Sequence, residues 1–284
     1  MKTKLLALAL GLAACVAQAA PTFSFSNVPA GWDGRFSIKL TGFESFSNGI
    51  NVGSQNYGIL KVTSIQTVGF GSTTIWADGQ NGAEITGVFS GITVSNFVPD
   101  GFGGGNLFAT GGTADFFINP FGAYVAAGGG AQGTGGYSAI LGCSVNQNCY
   151  NGISNVAAGG LLVSTQYVPG ISGVFPTVTV AGGLEATSPL GGSARGYLAV
   201  TGGAEATRFN TNGFLGGSAD LFANNTFCTV GDAACATTVA EAGNWQLAID
   251  DPVRGTVRLP EPASLALVGL GLIGAGLARR RKSA

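Results

Sequence analysis

The sequence predicts an all-β body, built as an antiparallel β-sandwich or jelly-roll, and three observations lead there. Where the hydrophobic pattern is clear its period is two residues, as in Phe36, Ile38 and Leu40, which alternate with polar neighbours. Val, Ile, Thr, Phe and Tyr enrich these runs, while Gly, Asn, Asp and Pro bound them. No window of the body supports a long capped helix. Because alternation gives one buried and one wet face, two packed antiparallel sheets fit the pattern.

The candidate strands follow one another along the whole body. Each is a short run of β-branched and aromatic residues, and the clearest are 22–25, 35–41, 57–65, 174–180, 196–201, 245–249 and 253–257. Gly, at 49 of 284 residues, supplies the turns between them. We therefore divide the chain into a segment 1–20, a Gly-rich all-β domain 21–258 and a tail 259–284.

Composition excludes several functional classes. The chain contains no His, which removes Ser-His-Asp and Cys-His nucleophile systems and His-ligated metals. Only 10% of the residues are charged, and the body 21–258 holds seven basic against thirteen acidic residues, a net charge of −6. A binder of nucleic acid needs clustered Lys and Arg to neutralise phosphates. We therefore expect no nucleic-acid partner.

The N-terminal segment has the pattern of a secretory signal helix. Lys2 and Lys4 precede a short apolar run, and Ala17 and Ala19 form a small-x-small cleavage site. Cleavage is expected after Ala19 or Ala20. A second interpretation stays open, because 12–15 is similar to a bacterial lipobox in which Cys15 would be lipidated.

The C-terminal tail predicts a single membrane helix. An uncharged segment, 263–278, is followed by a basic cluster. Sixteen helical residues reach roughly 24 Å, which snorkelling side chains and local thinning extend to a bilayer core of about 30 Å. The positive-inside rule keeps the basic cluster on the cytoplasmic side, so the body lies outside the cytoplasm and the tail is held at the membrane. The cluster consists of Arg279, Arg280, Arg281 and Lys282.

This tail resembles the PEP-CTERM sorting signal of Gram-negative bacteria. The resemblance covers 259–284 and rests on Pro260, Glu261 and Pro262, the Leu/Gly/Ala-rich helix and the terminal basic cluster. It implies recognition by an exosortase, cleavage near the Pro-Glu-Pro motif, and export to the cell surface or to an extracellular polysaccharide matrix. The membrane anchor would then be transient.

Four cysteines remain once the signal is removed. An exported protein meets an oxidising compartment, so disulfides are expected. We predict the local pairs Cys143–Cys149 and Cys228–Cys235, because each pair lies in one polar loop. The spacing within each pair is too long for a usual zinc site, and no metal or cofactor is predicted.

No catalytic residue can be assigned from the sequence, and we expect no enzyme. A carboxylate pair would permit glycoside hydrolysis, but the spacing of the candidate acids selects no pair. Those acids are Glu44, Asp78, Glu84 and Asp115. Loop oxygens in 78–82 or at Asp250 and Asp251 would suit calcium, although neither has the EF-hand spacing.

Two functional hypotheses therefore remain. The first is a structural or adhesive protein of the exopolysaccharide matrix, of biofilm or of flocs. The alternative is an exported carbohydrate-active enzyme or a calcium-dependent carbohydrate-binding protein. Trp32, Trp76 and Trp245 would stack on sugars in the alternative, but core packing is the more common use of such rings.

Overall fold

A computed structural model describes residues 21–69, 71–122, 124, 159–185, 191–232, 235, 245–250 and 252–259. This part of the chain forms eleven strands, one short helix, α1 (Ala206–Phe209), and two 3₁₀ turns at Gln80–Gly82 and Leu215–Gly217. The strands are β1 Arg35–Phe46, β2 Gln55–Thr67, β3 Thr74–Ala77, β4 Ala83–Pro99, β5 Gly105–Pro120, β6 Gly160–Val168, β7 Val180–Leu184, β8 Gly191–Gly202, β9 Leu221–Thr229, β10 Leu247–Asp250 and β11 Val253–Thr256.

The prediction of an all-β, antiparallel body is confirmed. Every strand pairing in the described residues is antiparallel, and helix is confined to α1 and the two 3₁₀ turns. The segments 196–201, 245–249 and 253–257 fall in or next to strands β8, β10 and β11, as expected. The long strands β4 and β5 were not predicted, because Gly and buried polar residues interrupt their alternation.

Two predicted strands are wrong. Residues 22–25 are not in a strand, since Phe23 and Phe25 pack instead against the end of the core. Most of 174–180 is a loop, and only Val180 belongs to β7. Alternation over three or four residues does not require a neighbouring strand, and Phe23 and Phe25 are partly buried against the core without one.

The expectation of two packed sheets is corrected to one sheet that closes on itself. From β1 the pairings run through β2, β4 and β5 to β6 and β7, then through β8 and β9 to β10 and β11, which pair with β1 again. The closing contacts join distant segments. For example, the Phe46 amide donates to Gln246 Oε1 at 2.9 Å across 200 residues. Both architectures need one buried face per strand, so alternation cannot distinguish them.

The core fills the space inside the closed sheet. Phe36, Ile38 and Leu40 of β1 point inward, while Arg35 and Lys39 are exposed, as the alternation predicted. The interior side chains come from strands all around the ring, which makes one main core rather than a layer between two sheets.

Aromatic side chains cover one end of this interior. Phe23 and Phe25 lie 5.0 Å apart between ring centres, and Phe23 also contacts Phe209 of α1 at 6.1 Å. Trp32 packs on Phe25 at 6.0 Å. The segment before β1 therefore caps the sheet although it is not itself a strand, and the Ser26 amide donates to the Ile75 carbonyl of β3 at 2.7 Å.

Glycines bend the longest hairpin. Gly91 of β4 and Gly111 and Gly112 of β5 all have positive φ, at 72°, 73° and 104°, a conformation that Gly adopts without strain. On one side of this bend β5 pairs with β7, and on the other side it pairs with β6. These glycines therefore lie where β5 changes its partner from β7 to β6.

The predicted signal segment 1–20 and the predicted membrane helix 263–278 lie outside the described residues. Within the ranges given above, no helix is long and apolar enough to cross a membrane.

Candidate functional site

An open cleft lies on the outer face of the sheet, over β5, β7, β8 and β9. We call it the outer cleft, and its volume is about 570 Å³, within the usual range for ligand sites of roughly 300–1,000 Å³. The floor of the outer cleft is low along β7, because Ala181, Gly182 and Gly183 carry little or no side chain. Larger residues on the flanking strands therefore stand up around a depression.

Strand register places the floor residues in two rows. Phe108 of β5 is opposite Ala181, Ala181 is opposite Arg195 of β8, and Arg195 is opposite Asn224 of β9. Neighbouring strands are about 4.8 Å apart, so this row runs roughly 14 Å across the strands.

The second row lies one side-chain step along the same face. In it Asn106 is opposite Gly183, and Gly183 is opposite Ser193. Together the two rows surround the small β7 residues with amide, hydroxyl and guanidinium groups.

The loop between β6 and β7 forms the wall of the outer cleft. Ile171, Ser172 and Val174 line it, and Val174 is 78% exposed. Phe175 fixes the loop to the sheet, since its ring lies 4.7 Å from that of Phe108. The Ser172 hydroxyl accepts the Phe175 amide at 3.1 Å, which tightens the turn. The wall is therefore mostly apolar and held in place, while the polar side chains of the outer cleft stand on the flanking strands, at Asn106, Ser193, Arg195 and Asn224.

Arg195 is the charged group of the outer cleft. It is exposed, and no carboxylate among the described residues forms an ion pair with it. Glu185 directly follows β7 and lies four residues beyond Ala181, the residue opposite Arg195, which is roughly 13 Å in extended chain. The body has a net negative charge, so Arg195 is a local positive centre in an acidic surface.

A second polar cluster is enclosed inside the sheet. Glu44 is 8% exposed, and Asn56 Nδ2 donates to its Oε2 at 3.1 Å. Both line an internal cavity of about 50 Å³ together with Asn225 and Tyr167, which is room for a few water molecules. The buried Asn225 Oδ1 has no hydrogen-bond partner among the described residues.

Burial controls protonation in this interior cluster. Loss of water raises the pKa of Glu44 to about 7, against the effect of the Asn56 hydrogen bond. Desolvation also raises the pKa of Tyr167, and the neighbouring charge of Glu44 adds to the rise. The cavity, at about 50 Å³, is too small for a saccharide.

Two of the predicted acids meet at one lysine. Lys61 Nζ lies 2.8 Å from Asp78 Oδ2 and 3.0 Å from Glu84 Oε2. Glu84 is fully buried and also accepts the backbone amides of Gly122 and Tyr124. Desolvation lowers the pKa of Lys61, but its hydrogen bonds to both carboxylates outweigh this and leave the pKa raised.

The arrangement around Lys61 resembles a structural ion-pair cluster more than a catalytic pair. The Lys61 ammonium also lies 5.5 Å from the centre of the Phe121 ring. Both carboxylates are engaged by the same cation, and neither lines the outer cleft. Glu44 and Asp115 are on other parts of the sheet, where Asp115 accepts the Ser164 hydroxyl at 2.5 Å.

Two further groups of predicted residues are the tryptophans and the acids of the calcium-like loops. Trp32, Trp76 and Trp245 are all buried, at 3%, 1% and 3% exposure, which confirms core packing over sugar stacking. Asp78 of the calcium-like loop binds Lys61, and Asp250 ends β10; the described ranges contain no group of three Asp, Glu or Cys side chains arranged as metal ligands.

The disulfide between Cys228 and Cys235 is present, with a Cα–Cα distance of 5.6 Å. Outside the described residues lie Cys15, the cleavage residues Ala17, Ala19 and Ala20, the pair Cys143–Cys149, and the tail beyond Leu259, including Pro260, Glu261, Pro262 and the basic cluster.

Sequence reasoning missed the outer cleft. Arg195, Asn106 and Asn224 belong to three different strands and show no common motif. The available signal was that each stands at an outward position of an alternating run, where polar residues are ordinary. Only the register of β5, β7, β8 and β9 brings them together.

Comparison with known protein families finds a match in the C-terminal tail of the chain. Residues 259–282 match the model of the PEP-CTERM protein-sorting motif, in agreement with the resemblance noted in the sequence. The chain thus carries a PEP-CTERM sorting motif, which indicates an exported protein targeted to an exosortase. No curated protein and no solved structure is significantly similar to the chain.

Proposed function

We propose that the chain is a structural or adhesive protein of the extracellular polysaccharide matrix, in biofilm or floc formation, delivered to the cell surface or the matrix after exosortase processing. The observation that carries the proposal is the sorting motif at 259–282. The motif supports export and exosortase processing, and a surface or matrix destination would bring the body into contact with polysaccharide. No nucleic acid is involved, since the body is acidic and charge-poor.

The fold is compatible with cleavage near the Pro-Glu-Pro motif. The last strand, β11, ends at Thr256, and Val257 still donates to the Gly34 carbonyl at 2.9 Å. Leu259 is 41% exposed and immediately precedes Pro260. A cut at the motif would therefore break no strand pairing, and the closed sheet would survive release from the membrane.

A non-catalytic role is favoured over the enzymatic alternative. The acids that come together, Asp78 and Glu84, are both held by Lys61, and Glu84 is fully buried. Glycoside hydrolysis needs two carboxyl groups roughly 5–9.5 Å apart that flank a substrate. A buried, cation-bound carboxylate is poorly placed to reach one. The same engagement of Asp78 weighs against the calcium-dependent alternative.

The test compares the native protein with a variant in which Pro260, Glu261 and Pro262 are replaced by Ala. Intact mass and cell fractionation are measured for both, and Ser283→Ala serves as the matched control in the tail. We expect the wild type and the control to start at Ala20 or Pro21, end near Pro260, and lie at the surface or in the matrix. The triple variant should keep its tail and stay in the inner membrane.

An unprocessed wild type in the inner membrane would contradict exosortase processing. A wild type that is processed but recovered only as free protein in the medium, with no association to isolated matrix polysaccharide, would contradict the structural or adhesive role. The two parts of the proposal therefore fail separately.

A further inference from the structure

We propose that the outer cleft binds a carboxylate-bearing saccharide unit, such as a hexuronate residue of an acidic polysaccharide, with Arg195 as the group that recognises the carboxylate. This inference rests on the proposed matrix function and names the surface and the sugar class through which it would act.

Arg195 selects the charge of the ligand. Its guanidinium is exposed in the middle of the cleft floor, between Ala181 and Asn224 in the strand register. An arginine in a concave site with no ion-pair partner among the described residues is free to form a forked, charge-assisted pair with a planar carboxylate. On an otherwise acidic body, this position attracts an anion where the neighbouring surface does not.

The surrounding groups suit a sugar ring. Asn106, Ser193 and Asn224 offer amide and hydroxyl groups on three strands, each able to donate to or accept from ring hydroxyls. Opposite them, Ile171 and Val174 present an apolar wall to the carbon face of a ring. The small floor at Gly183 provides depth, since an added Cβ there would have no heavy atom within 4 Å.

An aromatic cluster extends the same face beyond Arg195. Tyr197 follows two residues later on β8, and its ring centre lies 5.1 Å from Phe222 and 6.3 Å from Phe214. Tyr197 is opposite Phe222 in the register, one step along from the pair Arg195 and Asn224. The cleft therefore opens onto a partly exposed aromatic surface, so a polymer can continue past the bound unit.

The experiment measures binding of defined oligosaccharides to the purified full chain in detergent, by titration calorimetry at low and high salt. The probes are tetramers of galacturonate and of mannuronate and a hyaluronan tetrasaccharide, with neutral maltotetraose and free acetate as comparison ligands. We expect at least one uronate oligomer to bind more tightly than both comparison ligands. Its affinity should fall as salt rises, because the ion pair is screened.

Two variants locate the site. Arg195→Ala should weaken binding by about tenfold to a hundredfold, the loss expected for one charge-assisted hydrogen-bond pair. Gly183→Leu should fill the cleft and abolish binding. Lys39→Ala is the control, because it removes the same charge from an exposed position on β1, on the opposite wall of the sheet. It should bind as the wild type does.

Thermal unfolding of each variant shows that the fold is retained. Equal binding of maltotetraose, an unchanged affinity in both cleft variants, or no binding of any uronate at 10 mM, on the order of the weakest useful affinity, would each overturn the proposal. Binding of acetate as tight as that of the oligomers would reduce the site to an anion site and overturn the saccharide assignment. If matrix association persists while the cleft fails, the proposed function stands and another surface carries it.

Discussion

At the scale of single residues, burial decides what the acidic side chains do. Glu44, Asp78 and Glu84 look alike in the sequence, as polar residues among strands and turns. The fold encloses Glu44 beside an uncharged amide, but it gives Glu84 a lysine and two backbone donors. Solvation and partners, rather than residue type, therefore distinguish the surroundings of these carboxyl groups.

The raised pKa of Glu44 predicts a stability that falls as pH rises. The pKa is near 4.5 in the unfolded chain and about 7 in the folded protein. The folded state therefore binds more protons between these values, and stability is lost from about pH 4.5 to about pH 7. At pH 8 the loss is about 3 kcal/mol.

Glu44→Gln removes this titration and keeps an acceptor for Asn56. We expect the free energy of unfolding of the variant, taken relative to that of the wild type, to rise by about 3 kcal/mol between pH 4.5 and pH 8. Urea unfolding at a series of pH values measures it. Glu185→Gln, at an exposed position, is the control and should follow the wild-type curve. Parallel curves for Glu44→Gln and wild type would contradict the assignment.

Lys61 compensates the buried charge of Glu84. Lys61→Met keeps the apolar stem but leaves the fully buried carboxylate without its cation. We expect the free energy of unfolding at pH 7 to fall by about 3–5 kcal/mol, as measured by urea denaturation. Glu84→Gln in the same chain should restore part of the loss. Lys39→Met removes an exposed lysine from β1 and should cost less than about 1 kcal/mol; an equal loss in both lysine variants would refute the compensation.

At the scale of elements, glycine allows strands to approach closely. An added Cβ at Gly58 of β2 would lie 2.2 Å from the Phe43 carbonyl oxygen and 2.6 Å from the Phe89 ring. The register between β2 and β4 is irregular at the same place. The backbone there is positioned for a residue without a side chain.

Two Gly→Ala variants within the same sheet separate steric contact from backbone entropy. Gly58→Ala should lower the free energy of unfolding by about 1–3 kcal/mol, because the neighbouring backbone must move. Gly183→Ala, where the added Cβ meets nothing within 4 Å, should change it by less than about 1 kcal/mol. Thermal unfolding measures both. Equal melting temperatures of the Gly58→Ala and Gly183→Ala variants would show that the close approach of the strands at Gly58 does not require glycine.

At the scale of the whole molecule, closure of the sheet joins the two ends of the body. Arg35 at the start of β1 is opposite Thr256 at the end of β11. The segment before β1 and the segment that precedes the sorting motif therefore leave the sheet at the same end. That end is the one covered by Phe23, Phe25 and Trp32. Cleavage on either side would leave the closed sheet and its aromatic cap in place.

Closure also divides the body into a filled interior and an exterior that carries the outer cleft. The Glu44 cavity holds about 50 Å³, whereas the outer cleft holds about 570 Å³. A small closed sheet fills its interior with side chains, so a ligand larger than a few water molecules must bind outside it. This is why the proposed saccharide site lies on the outer face.

The sequence by itself determined the local and the terminal features. The all-β class followed from alternation, because residues two apart in a strand lie on the same face and are buried together. The sorting motif and the pair Cys228–Cys235 are contiguous or nearly so, and nothing distant is needed to recognise them.

Only the tertiary structure decided the closure of the sheet, the sharing of Lys61 by two acids and the assembly of the outer cleft. Each depends on register between strands that are far apart in the chain, as in the contact between Phe46 and Gln246 across 200 residues. Alternation predicts which face of a strand is buried, but it does not predict which strand lies beside it. Arg195 and Asn224 became neighbours through pairing alone.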